Sequence, residues 1–195
     1  MRISITQTWK ALALLAAAGV VPASAQQAAP PAAPPAPQIL LSTPAYADGT
    51  DIPVKYTCSA TPAAVSPALQ WNNIPKDAAS ITLIFHDPDA HPMKSMWDVT
   101  HWIVWNIPAT VTQLPENVPA GPKLDNGAVQ GKNVRGANGY LGPCPPPGKP
   151  HHYTYELYVL DKTLALGPDA SRADVMKEMD GHIIGKAVYA GFFHR

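Results

Sequence analysis

The sequence is sparing in the residues that announce the commoner chemistries. Only two cysteines occur, Cys58 and Cys144, and neither stands near the N-terminus to suggest a lipid-anchored leader. Basic residues are not in excess: Lys and Arg number 14, as do Asp and Glu. That balance argues against a nucleic-acid partner, whose phosphates require a basic face. Apart from residues 11–21 there is no long apolar run, and that one is too short to span a bilayer. The chain has no Gly-x-Ser-x-Gly elbow, no tight His/Cys/Asp/Glu spacing of the kind that marks a metal site, and no internal repeat.

What is present begins with a processing signal. Arg2 and Lys10 give a positive start, Ala11 to Val21 an apolar core, and Ala23-Ser24-Ala25 a small-x-small cleavage pattern. Residues 1–25 therefore read as a signal peptide cut after Ala25, and the mature chain as periplasmic or secreted, with no transmembrane segment left. Removing Arg2 and Lys10 leaves 12 basic residues against 14 acidic ones. Residues 26–38 form a Pro/Ala-rich tether that cannot bury enough apolar surface to order itself. Residues 39–195 have ordinary globular composition and suit one domain. In an oxidising compartment the even pair Cys58 and Cys144 points to a disulfide; the alternative is two buried thiols.

Within that domain the periodicity is that of strands. Ile39 to Ser42 reads as a short strand before Pro44, and Asp48-Gly49 as a turn. Ile52, Val54, Tyr56 and Cys58 alternate as a half-buried strand does. A short strand is expected around Leu69-Gln70-Trp71. Ile81 to Phe85 and Trp102 to Ile107 are nearly continuous in apolar and β-branched residues, so they read as central strands covered on both faces. Residues 108–150 carry no sustained period, but their aromatic and cysteine content suggests an ordered covering loop. Tyr153 to Leu160 and Ala187 to Phe193 are further strands. Ser171-Arg172-Ala173-Asp174 resembles a capping box opening a short helix that Gly181 ends.

Charge and imidazole gather at the ends of these strands. Asp87-Pro88-Asp89-Ala90 follows the run to His86, His101 stands just before Trp102, and His151-His152 just before Tyr153. Antiparallel pairing of 81–86 with 102–107 would bring Asp87 and His101 together. The imidazoles of His101 and His151 can donate N–H bonds to an oxyanion, while Asp87 holds one ring in the required tautomer. Tyr153 falls on the same side of its strand as His151 and adds a hydroxyl. Gly-rich backbone at 139–142 adds N–H donors.

Competing chemistries are weaker. Asp87, Asp89, His101 and His151 are of zinc-ligating type, and His86, His91, Met93 and Met96 of copper-ligating type, but neither set has a ligand motif's spacing. Ser95 has no nucleophile elbow, and Cys144 sits between prolines. The expectation is a binding protein rather than an enzyme, with no metal and no cofactor. Trp97, in the 88–100 loop, is a candidate pocket wall.

The chain closely resembles the phosphatidylethanolamine-binding protein family, in its bacterial Raf-kinase-inhibitor-like branch. The matching pieces are Tyr56-Thr57-Cys58, Ser66 to Trp71, Asp87-Pro88-Asp89-Ala90, His101 to Pro108, Gly139 to Pro146 and His151 to Tyr158. Each alone is a weak signal; in this order, through most of residues 39–193, they are a strong one. The resemblance implies a mainly β (α+β) fold, an antiparallel sheet architecture with a few short peripheral helices and long loops. It also implies a small surface cavity for phosphate-like anions, including phosphorylated head groups. That cavity would be lined by Asp87, His101, His151 and Tyr153, with Asp89 supporting its rim and Leu141 or Gly142 contributing backbone. Some relatives inhibit proteases, so the competing expectation is a protein partner, a protease or other envelope enzyme, engaged by the loops around the cavity. A metal-dependent hydrolase is the third.

Overall fold

Nine strands, one α-helix and one 3-10 turn organise the described residues, which in the computed structural model are 38–91, 94 and 97–195. The leader and the tether through residue 37 lie outside the described residues, as do Pro92, Met93, Ser95 and Met96. In chain order the elements are β1 (Leu40–Ser42), β2 (Thr50–Asp51), the 3-10 turn (Val54–Tyr56), β3 (Leu69–Asn72), β4 (Ser80–Asp87) and β5 (Val99–Pro108). They continue with β6 (Gln113–Leu114), β7 (Val129–Gln130), β8 (His151–Leu160), α1 (Arg172–Met179) and β9 (Ile183–Phe193). No helix among them is long and apolar enough to cross a membrane.

A six-stranded sheet, ordered β2-β9-β8-β4-β5-β7, carries the molecule. Its pairs are antiparallel except for β2 beside β9. All eight residues of β4 are buried, as expected of a continuous apolar run with both faces covered. One face meets the small sheet β1-β3-β6: Leu41, Leu69, Trp71 and Leu114 share a core with Ile81, Leu83, Phe85 and Tyr155. The other face meets α1, where Val175 and Met179 pack with Ile84, Ile103, Trp105 and Leu160. The mainly β architecture with one peripheral α-helix is thus as the sequence implies. The Ser171 hydroxyl accepts from the Asp174 N–H, and the Asp174 side chain accepts from the Ser171 N–H, closing the capping box.

One strand assignment is corrected. Ile52 to Cys58 does not continue as a strand: after β2 the chain turns at Pro53 into 3-10 geometry, with Tyr56 N–H bonded to the Pro53 carbonyl. Ile52 and Tyr56 are buried, whereas Val54 is 56% exposed, so the inward spacing is four residues rather than two. Proline has no N–H for a ladder, and a helical turn satisfies that spacing equally well.

The aperiodic stretch 108–150 contains only the two-residue strands β6 and β7. Amide side chains do the ordering that periodicity does elsewhere. The fully buried Gln130 donates to the Pro119 and Gly121 carbonyls and accepts from the Trp102 indole. Asn133 similarly donates to Gly139 and accepts from Arg135 and Ala137.

Candidate functional site

Strands β8, β4 and β5 lie side by side, and their ends on the small-sheet face carry the polar residues singled out above. On β4, Leu83, Phe85 and Asp87 alternate onto that face; on β8, His151, Tyr153 and Tyr155 do the same. Asp87 is 3% exposed, and its Oδ2 accepts from the Nδ1 of His151 at 2.8 Å. Its Oδ1 accepts the Asp89 backbone N–H at 3.0 Å, which bends the chain after β4.

His101 reaches this face only through an irregularity. Phe85 pairs with Trp102 but His86 with Thr100, so His101 is the extra residue of a bulge in β5. Strict alternation would put it on the α1 face, opposite to Trp102. The bulge returns it to the side of Phe85, 5.6 Å between ring centroids, and Tyr153, 5.2 Å away edge-on. Leu141 then fixes it from both directions: its N–H donates to the His101 carbonyl, and its carbonyl accepts from His101 Nδ1, each at 2.9 Å. A carbonyl can only accept, so Nδ1 carries the proton and Nε2 is left with its lone pair.

Asp89 forms the outer edge, bonded at 2.7 Å to both the backbone N–H and the Nδ1 of His152. Burial would raise its carboxyl, but the His152 bonds outweigh that and hold it below the ordinary value. The Tyr153 hydroxyl is sealed from solvent; burial and then the charge of Asp87 keep the phenol un-ionised, and although Asp87 and the Cys144 backbone lie near the hydroxyl, neither meets it in normal hydrogen-bond geometry. Gly142 lies back to back with the 56–64 segment: an added Cβ would come within 2.8 Å of Ala64 Cβ and 3.0 Å of the Tyr56 carbonyl oxygen. The Cys58–Cys144 disulfide, Cα to Cα 5.3 Å, joins the same two segments.

Asp87, His101, His151 and Tyr153 are therefore brought together, with Asp89 at the edge. The backbone of Leu141 is spent on positioning His101. The Trp97 ring, 46% exposed, lies 5.9 Å from the Arg172 guanidinium. His86, one residue before Asp87, points to the opposite face and bonds Asp98 at 2.6 Å, and Asp98 also holds Arg172. Burial would raise the Asp98 carboxyl, but these two partners keep it low. Sequence reasoning missed Arg135, whose charge acts on His101 and which forms no ion pair with another described residue. Nothing in the local pattern distinguishes it from other surface arginines.

Asp87, Asp89 and His151 present donor atoms within 4.8 Å of one another, close enough for a cation to be considered. Their atoms are already committed, though: Asp87 to His151 and Asp89 N–H, Asp89 to His152. The carboxylate charge is met by N–H donors, which does not favour the group as a metal centre. Two cavities of about 220 Å³ and 290 Å³ lie elsewhere, one walled by Leu114, Val118 and Leu124, the other by Thr100, Lys132 and Arg172. Neither is lined by an imidazole, so chemistry favours the strand-end cluster.

Burial pushes the His101 imidazole below its ordinary 6.5, against the Leu141 bond and the Asp87 charge, which pull upward. A histidine depressed in the folded state binds protons more readily when unfolded, so stability is full above pH 6.5 and drains as pH falls toward the folded value. Urea midpoints of wild type and His101→Asn, compared at about pH 7.5 and 5.5, should show a smaller acid loss in the variant. Equal losses would remove His101 as a contributor.

A family model described as phosphatidylethanolamine-binding protein matches residues 42–194. Over 155 residues the chain is 46% identical to a UPF0098 protein of Methanothermobacter thermautotrophicus, covering 80% of this chain and 98% of that one. It is similar to the crystal structure of a phosphatidylethanolamine-binding protein homologue from Chlamydia trachomatis, at 34% identity and TM-score 0.72, covering 81% of this chain and 98% of that chain. It is also similar to E. coli YbcL, described as a member of the mammalian family, at 31% identity and TM-score 0.72, covering 82% and 99%.

Proposed function

Because the chain belongs to the phosphatidylethanolamine-binding protein family, we propose that the Asp87–His101–His151–Tyr153 cluster binds a phosphate-type oxyanion or phosphorylated head group without turning it over. The observation that carries this reading is a convergence of incomplete polar groups. The Tyr153 hydroxyl is sealed from solvent with no hydrogen bond of normal geometry, and beside it His101, 4% exposed, has committed its Nδ1 to Leu141, leaving Nε2 for a ligand. Buried polar atoms without partners are costly, and a small polar ligand supplies what they lack. His151, when protonated, offers an Nε2–H on a ring held in place by Asp87. Arg135 adds positive charge nearby. We further propose that the protein is exported, on the strength of the leader pattern and of a disulfide that suits an oxidising compartment.

The test is a titration of the protein with inorganic phosphate, following histidine ring protons by NMR. Saturable shifts of His101 and His151 are expected, and His101→Ala should weaken binding by about 1.5–3 kcal/mol, the range for a hydrogen bond to a charged group. An affinity unchanged by that substitution would displace the site from this cluster.

A further inference from the structure

We infer that this pocket selects oxyanions that still carry a proton, inorganic phosphate and phosphomonoesters, over those that carry none, sulfate and phosphodiesters. The inference rests on the oxyanion reading above and deepens it.

The argument turns on which atoms face the ligand as acceptors. His101 has spent its single N–H on the Leu141 carbonyl, so its Nε2 presents a lone pair. Burial disfavours the imidazolium that would turn that lone pair into a donor. Asp87 is an ionised acceptor by its bonding: both oxygens take N–H donors, from His151 and from Asp89. A fully deprotonated oxyanion would set its own lone pairs against these two acceptors at close range, in a site where burial magnifies the repulsion. An oxyanion with one P–O–H meets the same two acceptors with a donor. The Tyr153 hydroxyl remains for another of its oxygens. The titratable groups on the face of His101 are Asp87 on β4 and Tyr153 on β8, while the charges of His86, on the opposite face of β4, and of Arg135, in the loop after β7, also act on it. Asp89 and His152 form the outer edge. Arg135 draws in any anion and does not tell one from another, so selection falls to the acceptors.

Four probes separate the proton from charge and shape. At about pH 8 inorganic phosphate is largely the hydrogen phosphate dianion, with the charge and shape of sulfate and one proton more. Near pH 6, around the second ionisation of a phosphomonoester at about 6, phosphoethanolamine and glycerophosphoethanolamine offer the same comparison between a monoester and a diester. Each is titrated into the intact protein while His101 and His151 ring protons are followed. Phosphate is expected to bind at least about tenfold more tightly than sulfate, and phosphoethanolamine than glycerophosphoethanolamine. Phosphoethanolamine should weaken as pH rises past about 6.5 more steeply than sulfate does, because sulfate has no proton to lose and any change in the pocket's own groups acts on both.

Sulfate binding as tightly as phosphate, or the diester as tightly as the monoester, would overturn the selection and leave the pocket standing. Silence of both histidines toward all four probes would overturn the pocket itself, and the selection with it. A diester bound through its ammonium alone would move resonances other than those of His101 and counts as no binding in the pocket, as the selection expects.

Discussion

Without the Cys58–Cys144 bridge, as the double variant Cys58→Ser/Cys144→Ser, the protein is expected to lose about 2–5 kcal/mol of stability. The bridge closes a sequence separation of 86 residues, for which the chain-entropy account gives about 4–5 kcal/mol as its upper reach. Most of that acts on the unfolded chain, and the local geometry shows why. The Cys58 N–H donates to the Pro143 carbonyl at 3.0 Å, and Gly142 is packed against Thr57 and Ala64. Those contacts keep the 139–144 segment, and with it the Leu141 hold on His101, in place when the sulfurs are gone. Urea unfolding should therefore show a large fall in midpoint, while the His101 ring protons of the folded fraction stay near their wild-type positions. An unchanged midpoint would mean the bridge contributes little. A displaced His101 would mean that it, rather than the packing, positions the pocket.

That division between what chain entropy does and what packing does also explains how much of the molecule the sequence made legible. The central strands β4, β5 and β8 declared themselves because their apolar runs are long and buried on two faces, a signal that survives without partners. The capping box of α1 was legible because Ser171 and Asp174 satisfy each other locally. The 3-10 turn was not, since a four-residue inward spacing at Ile52 and Tyr56 is shared by a strand and a helical turn. Nor was the order in 108–150, where single buried amides such as Gln130 reach carbonyls 9 and 11 residues away.

The site divides the same way. Asp87 and His101 were placed together by strand pairing alone, yet plain alternation would send His101 to the wrong face. The bulge that corrects this is visible only in the register of two strands. Residue type marked Tyr153 and His151 as polar groups at a strand end. It could not show that Leu141 takes the His101 Nδ1 proton, and on that bond the donor and acceptor character of the pocket depends.

Phe85 is where fold and site meet, and Phe85→Ala is expected to be among the most damaging single substitutions, costing about 3–5 kcal/mol. The ring is fully buried, stacked at 4.0 Å on Tyr155 and at 5.6 Å, nearly parallel, on Tyr140. It also stands 5.6 Å from His101 and 6.1 Å from Tyr153, so it is the floor on which the polar cluster sits. Two consequences compete. Closure of the gap by the neighbours is opposed, because Tyr140 is tied to the Tyr56 carbonyl at 2.8 Å and packs edge-on against Trp102. Tyr155 is fixed within β8 between β4 and β9. Partial collapse leaves most of the cavity, so the cavity cost dominates over the roughly 0.5–1.5 kcal/mol attributable to each aromatic pair. His101 loses the wall that orients its ring, so phosphate-induced shifts should weaken in whatever fraction remains folded. Val54→Ala, at a side chain 56% exposed, is the control and should change stability by no more than about 0.5 kcal/mol. A Phe85→Ala loss as small as the control's would show that the aromatic column relaxes freely, and the pocket would then need a different support.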